Sequence, residues 1–418
     1  LNKTIAIVGL GYVGLPLAHA FAKKGNRVIG YDISEERITN LNSGEDWTNE
    51  LTREQLEGVS IEFSANPAIL GNADVIIVAL PTPIDENNKP DIAILKAGTE
   101  TVGKNMKDGA IVVFESTVYP GTTEEICGGI LKEASGGKSF KLGYSPERIN
   151  PGDKEHTVTK ILKIVAGEDD ETTDTLCNLY KSIIEAGVHK ASSIKVAEMA
   201  KAIENAQRDL NIAFVNEIAQ MCNKLGIASK DVFDAAKTKW NFLPFQPGLV
   251  GGHCIGVDPY YLVEKAKQLG MDTHVITAGR SVNDQMGAYV ASLVTDELGD
   301  PNGKRVLVLG ITFKENVPDR RNSKSGDVIK ALEAKGCDVE VHDPFFDDSE
   351  IEKLGFKPGK LMNGPYDAVM LLVTHSDYFN GYPQNLLGSL KEGGIFFDLK
   401  SLMDRKAVER EGYRYLAL

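Results

Sequence analysis

The sequence predicts an α/β protein: two doubly wound domains joined by a long central helix and a helical middle domain. Three observations carry that prediction. Short β-branched runs alternate with helical stretches up to about residue 192. From Ile194 to Leu225 no Gly or Pro interrupts the chain, and apolar residues recur at helical spacing (Ala206, Leu210, Ala213, Ile218, Met221). After Pro301-Asn302-Gly303 the α/β alternation begins again.

In chain order, Thr4 to Val8 reads as a strand, Leu15 to Lys24 as a helix and Arg27 to Tyr31 as a second strand. Asp74 to Leu80 is wholly apolar after its first residue, as in a strand covered on both faces, and Ala110 to Phe114 repeats the type. Lys141 to Tyr144 and Lys163 to Ala166 read as shorter strands, and a further helix surrounds Ala278 to Leu298. In the last part, Lys304 to Leu309, Asp338 to His342 and Ala368 to Val373 read as strands and Ser325 to Lys335 as a helix. NRVIGYD pairs with CDVEVHD, and ADVIIVALPTP with YDAVMLLVTHS, so the end of the chain resembles its beginning. The expected domains are 1–192, 193–300 and 301–418.

The chain has 418 residues, 42% hydrophobic and 25% charged, with a net charge of −13. That length exceeds one ordinary core. The negative balance without a basic patch argues against nucleic-acid binding. No apolar run approaches the roughly eighteen residues that span a bilayer, and Leu1 to Gly9 enters a strand with no signal-type segment. The five cysteines (127, 177, 222, 254, 337) are scattered with no CxxC pair. No metal is expected, and a reducing cytoplasm is.

The first turn carries chemistry. TIAIVGLGYVGLPLA contains Gly9-x-Gly11-x-x-Gly14, with Tyr12 and Val13 inside the turn. A lone GxGxxG is weak; this one follows a strand, opens a helix, and is followed by VIGYD ending in Asp32. Gly9 permits the tight turn, Gly11 the approach of a pyrophosphate, and Gly14 close helix–strand packing. The helix N-terminus offers N–H groups to phosphate. Asp32 suits ribose hydroxyls and repels a 2′-phosphate, which favours NAD over NADP. Arg37 weakens that preference slightly, and equally reads as a cover for adenine or a solvated helix residue. Pro81 and Thr82 after one buried strand, and Thr117 after the next, stand where such sheets bind ligands; Thr82 and Thr117 read equally as capping or turn residues. The second Rossmann-like turn, Gly310-Ile311-Thr312-Phe313, lacks the three glycines and suits a smaller group.

Gly248, Gly251 and Gly252 precede Cys254, with Asp258 four residues on. That setting points to an accessible nucleophilic thiol, whereas the other cysteines read as core residues. His253 is either a base for the thiol or a loop residue. Lys201, Asn205 and Arg208 share one helix face, and spacing alone favours a solvated polar stripe. Glu147 follows a strand as either a general base or a surface carboxylate.

These residues lie in motifs that run in order along nearly the whole chain: GLGYVGLPLA, VALPTP, ESTVYPGTT, YSPERINPG, KAIENAQRDLNIAFVNE, PGLVGGHCIGVDPYYL and GITFKENVPDRRNS. The chain resembles the UDP-glucose and UDP-N-acetylhexosamine 6-dehydrogenase family. GGHCIGVDPYY with SPERINPGDKEHT is most similar to the UDP-N-acetylglucosamine and UDP-N-acetylgalactosamine enzymes of surface-polysaccharide synthesis. UDP-glucose enzymes more often show a GGSCFP-like form with NPEFLRE. The resemblance implies oxidation of the sugar C6 alcohol to an acid at the expense of two NAD, with Cys254 carrying a thiohemiacetal and then a thioester. It implies oxyanion stabilisation by Lys201 and Asn205, which reverses the reading from spacing. It further implies Asp258 as a carboxylate that orients water or Lys201, Glu147 as base for hydrolysis and Thr117 as a hydroxyl near the catalytic water. Arg148, Ile149 and Asn150 would line the sugar or phosphate, with Arg208 and Gly251 also on the substrate side. The loop from Asn241 through Phe245 to Gly248 would cover the sugar. Phe313 and Lys314 would meet UDP, and Arg321 (or the adjacent Arg320) the cofactor. A homodimer or higher homo-oligomer through the central helix is implied as well. Alternatives are a UDP-glucose or UDP-ManNAc dehydrogenase, a two-electron β-hydroxyacid dehydrogenase, and a non-catalytic NAD or nucleotide-sugar sensor.

Overall fold

The computed structural model describes residues 3–148, 158–252, 254–380 and 384–418. The chain forms two compact units, Leu1–Glu204 with Tyr260–Met271, and Asn205–Pro259 with Asp272–Leu418. The segment read as a middle domain is thus distributed over both, and the helix Ile194–Leu225 contributes its residues to Glu204 to the first unit.

The first unit holds an eight-stranded sheet. Its strands are β1 (Thr4–Val8), β2 (Arg27–Tyr31), β3 (Ile61–Ser64), β4 (Val75–Val78), β5 (Ala110–Phe114), β6 (Phe140–Tyr144), β7 (Lys163–Gly167) and β8 (Val188–Lys190). Their order is β3-β2-β1-β4-β5-β6-β7-β8. Neighbours are parallel except β6 and β7. The residue pattern of a buried strand carries no direction, so the doubly wound prediction did not contain that antiparallel pair. β4 is buried at every residue, and the helix Gly14–Lys23 covers the sheet with Leu15, Leu17, Ala18 and Phe21. That close packing is possible only with glycine at the helix start: a Cβ on Gly14 would stand 1.8 Å from the Gly9 carbonyl oxygen.

The second unit holds β9 (Arg305–Leu309), β10 (Asp338–His342), β11 (Tyr366–Leu371), β12 (Leu390–Asp398) and β13 (Arg414–Ala417), all parallel, in the order β10-β9-β11-β12-β13. The strand read as Ala368 to Val373 begins and ends two residues earlier, because Leu372 and Val373 already turn out over Leu309. The helices His274–Leu298 and Ser325–Ala334 pack on one face of this sheet through Met286, Val290, Val294, Val328 and Leu332. In each sheet the winding reverses beside its first strand, between β1 and β4 and between β9 and β11. Ligands bind doubly wound sheets in the crevice at the carboxyl ends of such strands. Among the described residues no helix is long and apolar enough to cross a membrane, and no group of three or more His, Cys, Asp or Glu is placed to hold a metal ion.

Candidate active site

In the first unit the turn after β1 is built as a nucleotide cradle. Gly9 has φ +91° and its N–H donates to the Tyr31 carbonyl at 2.9 Å. Asp32 takes the Leu10 N–H on Oδ2 (2.8 Å) and the Ser34 N–H on Oδ1 (3.0 Å), and remains part-exposed. The helix Gly14–Lys23 has no side-chain cap at Val13 and no acidic residue in its first turn. Nothing lies within 4 Å of where a Cβ on Gly11 would stand. Uncapped N–H groups, open space at Gly11 and a part-exposed carboxylate fit a dinucleotide's pyrophosphate and ribose.

Arg37 is 3% exposed. Its Nε donates to the Leu10 carbonyl at 2.9 Å, its guanidinium lies 2.8 Å from Asp46, and the Trp47 ring covers it at 4.8 Å. Tyr12 meets the same Trp47 edge-on at 6.2 Å. Arg37 is therefore neither a solvated helix residue nor a cation offered to a 2′-phosphate; it props the glycine turn with its charge met by Asp46. The loops after β4 and β5 are tied together: the Thr82 hydroxyl donates to the Thr117 carbonyl (2.7 Å), the Ser116 hydroxyl to the Leu80 carbonyl (2.6 Å), and the Tyr261 hydroxyl to the Thr82 carbonyl (2.9 Å). Pro81 is exposed beside them.

Glu147 follows β6. Its Oε1 accepts the Arg148 N–H at 2.6 Å and its Oε2 lies 3.4 Å from Lys163 Nζ. The Arg148 guanidinium meets both Glu204 oxygens (3.2 and 2.9 Å) and donates to the Leu162 carbonyl (2.6 Å). Lys201, one turn before Asn205 on the long helix, is only 6% exposed. Arg208, on the same helix, is exposed. Ile149, Asn150 and His253 lie outside the described residues.

In the second unit Cys254 opens a turn: its carbonyl accepts the N–H groups of Val257 (3.1 Å) and Asp258 (2.9 Å), and the helix Asp258–Gln268 follows. Asp258 is 2% exposed, and Asn205 Nδ2 donates to its Oδ2 at 2.5 Å. Cys254 is the one cysteine of five that is not buried. Burial pushes the Cys127 thiol up to about 12 and raises those of Cys177 and Cys337, which keeps them protonated and inert.

The glycine stretch before Cys254 is shaped by its neighbours. Asn216 pins Gly248 from both sides, taking its N–H at 2.8 Å and donating to its carbonyl at 3.0 Å. Gly252 has φ +85°, and a Cβ there would stand 2.8 Å from the Phe313 ring. Asn241 is exposed and Phe245 part-exposed on the loop leading in. A pocket at the β9–β11 reversal is lined by Gly251, Phe313, Lys314, Ser323, Lys324 and Lys400, among others. Lys314 and Lys400, an aromatic face and the start of the helix Ser325–Ala334 suit a nucleoside diphosphate, while Lys324 Nζ lies 3.1 Å from both Asp284 and Asp327 and Glu315 also lines the pocket. Arg321 holds Asp319 with its guanidinium (2.7 to 3.2 Å) and is exposed, as is Arg320. Sequence reasoning missed Asn216, Glu204, Lys324 and Lys400, although Glu204 and Asn216 lie within KAIENAQRDLNIAFVNE and Lys324 directly follows GITFKENVPDRRNS; the bonds of Asn216 to Gly248, Glu204 to Arg148 and Lys324 to Asp284 join residues far apart in the chain.

A turn that fits a dinucleotide in one unit, and in the other a pocket that suits a nucleoside diphosphate and, apart from its lining, a part-exposed thiol, fit a nucleotide-dependent dehydrogenase whose substrate itself carries a nucleotide. Comparison with known proteins is more particular. Family models match residues 3–184 (UDP-glucose/GDP-mannose dehydrogenase family, NAD binding domain), 195–285 (central domain) and 307–405 (UDP binding domain). The chain belongs to the UDP-glucose/GDP-mannose dehydrogenase family and is an NAD-dependent nucleotide-sugar dehydrogenase. It is 49% identical to Protein CapL of Staphylococcus aureus, over 97% of each chain. It is 48% identical to the UDP-N-acetyl-D-glucosamine 6-dehydrogenase of Pseudomonas aeruginosa, over 96% of this chain and 97% of that one. Its fold matches the solved UDP-D-ManNAc dehydrogenase of Pyrococcus horikoshii with a TM-score of 0.87 at 28% identity, over 99% of this chain and 98% of that one.

Proposed function

We propose that this chain oxidises the C6 hydroxymethyl of a UDP-N-acetylhexosamine, UDP-GlcNAc or UDP-GalNAc, to the uronic acid in two NAD-dependent steps, supplying a surface-polysaccharide precursor. The observation that carries the reading is Cys254: part-exposed, set in a glycine stretch, and opening the turn that leads to the Asn205–Asp258 pair. NAD, when bound, accepts a hydride from C6 at each oxidation.

The chain's own residues do the rest. The first oxidation turns the alcohol into an aldehyde and releases a proton. The Cys254 sulfur adds to the aldehyde carbon, giving a thiohemiacetal, so the reactive intermediate cannot leave. Loss of a second hydride and a proton makes the thioester. Water attacks its carbonyl, Glu147 takes the proton, and the C–S bond breaks to release the acid and the thiolate. Lys201 and Asn205 stabilise the developing oxyanion by fixed charge and dipole, and Asp258 orients Asn205. Thr117 stands near the attacking water. Asp32, Gly9, Gly11, Tyr12, Val13, Gly14, Pro81 and Thr82 hold the cofactor with Arg321. Arg148, Ile149, Asn150, Arg208, Asn241, Phe245, Gly248, Gly251, Phe313 and Lys314 hold the nucleotide sugar.

The preference for a gluco over a manno sugar is supported by the 48% identity to the Pseudomonas enzyme against 30–32% to UDP-N-acetyl-D-mannosamine dehydrogenases; the galacto sugar rests on the motif resemblance alone. The helix Ile194–Leu225 exposes Met199, Ile203, Phe214 and Met221, an apolar stripe that fits a homodimer seam; Phe214→Glu is expected to shift the species seen by light scattering toward monomer. All five cysteines are free thiols, in keeping with the cytoplasm.

The test is purified protein with NAD and a panel of UDP-glucose, UDP-GlcNAc, UDP-GalNAc and UDP-ManNAc, read at the NADH band. Two NADH per acid from an N-acetylhexosamine is expected. One NADH per product would favour a two-electron hydroxyacid dehydrogenase, and none with any sugar a sensor. Cys254→Ala is expected to abolish acid; full acid yield from that variant overturns the thioester route.

A further inference from the structure

Four side chains from four elements of the first unit converge on one buried charge. Glu115 follows β5, Glu147 follows β6, Lys163 opens β7, and Tyr180 lies in the helix Asp170–Lys181. Lys163 Nζ lies 2.7 Å from Glu115 Oε2 and 3.4 Å from Glu147 Oε2. The Tyr180 hydroxyl donates to Glu115 Oε1 at 2.5 Å, and the Lys163 ammonium also lies 5.5 Å from the Tyr180 ring centre. The side chains of Glu115 and Lys163 are 0% and 4% exposed, but that of Glu147 is 14% exposed. Glu147 is thus the member of the cluster that reaches solvent, and its two oxygens are held by different donors, the Arg148 N–H and Lys163.

A buried ion pair is a poor stabilising device, since apolar side chains of like volume do as well or better. Glu115 alone would meet the Lys163 charge. The contact from Lys163 to Glu147 adds nothing the core requires, and it fixes the plane of a carboxylate at the edge where ligands bind. Burial works against the Lys163 charge, but Glu115 and Glu147 outweigh it and hold the ammonium's pKa above its ordinary value.

We infer that Lys163, itself held by Glu115 and Tyr180, is a positioning residue that aims the Glu147 carboxylate at the water attacking the thioester. The inference rests on the proposed role of Glu147 as the base for hydrolysis. With its side chain 4% exposed, Lys163 acts through Glu147.

The test uses the full chain with whichever of the four UDP-sugars reduces NAD fastest, following steady-state rates and the intact mass of the enzyme during turnover. For Lys163→Met, kcat is expected to fall on the order of tenfold to a hundredfold, a slice of what a general base contributes. kcat/KM for both substrates should stay within about twofold, with KM falling alongside kcat, because the slowed step follows formation of the covalent adduct. A covalent sugar adduct on Cys254 should accumulate, preceded by a burst of NADH. Lys163→Arg should recover part of the rate. Tyr180→Phe, which removes one hydroxyl without changing the packing, should trap less adduct in the same direction and guards against a folding defect in Lys163→Met. Glu147→Gln should trap the adduct most strongly. If Glu147→Gln traps it and neither Lys163→Met nor Tyr180→Phe does, the positioning role is overturned while the base stands. If Glu147→Gln traps none, the base reading falls and the inference with it.

Discussion

Asp32 and Asp343 hold the same place in the two sheets and make the same two backbone bonds, yet only Asp32 keeps a face for a ligand. Each ends the second strand of its sheet. Asp32 accepts the N–H groups of Leu10 and Ser34 at 2.8 and 3.0 Å; Asp343 accepts those of Ile311 and Phe345 at 2.7 and 2.9 Å. The glycine before each turn, Gly9 or Gly310, has φ +91° in both. Asp343, however, is 1% exposed and lies 3.2 Å from His375 Nε2. His375 Nδ1 accepts the Asn316 N–H, so the imidazole proton sits on Nε2, toward Asp343. The second sheet has closed over the carboxylate that, in the first, stays part-exposed.

Asp32→Ala is expected to raise KM for NAD on the order of tenfold to a hundredfold, the worth of hydrogen bonds to a charged group. KM for the nucleotide sugar should stay within about twofold. Initial-rate kinetics with each substrate varied in turn would show it; an equal rise in both would place Asp32 outside the cofactor site.

Asp343→Ala should instead weaken the fold, by about 3 kcal/mol for a buried charged acceptor whose donors are left unmet. Burial works against the Asp343 charge, but His375 and the backbone N–H groups of Ile311 and Phe345 outweigh it and hold the carboxyl below its ordinary 3.8. A lowered folded pKa means that ionised Asp343 stabilises the fold above pH 3.8 and that this contribution is lost as pH falls through the folded value. Acid unfolding followed by circular dichroism should therefore lose pH sensitivity below 3.8 in Asp343→Ala relative to the parent.

Gly11→Ala and Gly14→Ala should part company. A Cβ on Gly11 meets nothing, whereas one on Gly14 overlaps the Gly9 carbonyl. Gly11→Ala is expected to melt within about 1 °C of the parent while binding NAD on the order of tenfold more weakly. Gly14→Ala should lose both stability and binding. Thermal unfolding with and without NAD separates the two, and a Gly14→Ala protein of parental melting temperature would contradict the packing.

Iodoacetamide should label Cys254 on the order of tenfold or more faster than Cys127, Cys177, Cys222 or Cys337, because those four are buried. Peptide mapping by mass spectrometry reads the rates, and the nucleotide sugar together with NAD, which oxidises it to the aldehyde the thiol captures, should protect Cys254 alone. Preferential labelling of any other cysteine would count against an accessible thiol at 254.

Asn205→Ala leaves Asp258, 2% exposed, without its 2.5 Å donor. A stability loss of about 1 kcal/mol is expected for the lost hydrogen bond to a charged group, with kcat falling by on the order of a hundredfold if Asn205 also serves the oxyanion. A parental rate in a destabilised variant would assign Asn205 to structure only.

Much of the architecture was legible before any coordinates. β1, β2, β5, β9 and β10 coincide with β-branched runs, and the long helix begins and ends where its uninterrupted periodicity does. β3 and β8 escaped because IEFS and VHK are short and carry charge, so their burial depends on neighbours. The glycine turn, Asp32 and Cys254 were legible because their chemistry is local: strand, turn and helix follow one another within a few residues. In the sequence Lys163 reads only as the start of a strand and Glu115 only as the first residue of ESTVYPGTT, although a charge at the start of a buried strand already implies a partner.

The sequence by itself determined two Rossmann-like sheets and a dinucleotide-type glycine turn, and singled out Cys254 as the thiol that is not buried, because each rests on residues close together in the chain. Only the tertiary structure decided that Arg37 props the glycine turn, that Asn216 pins Gly248, and that Lys163 holds Glu147. The physical reason is common to all three. A buried polar group must find its partner wherever the fold brings one, and sequence spacing carries no record of a bond between residues 16, 27 or 32 positions apart.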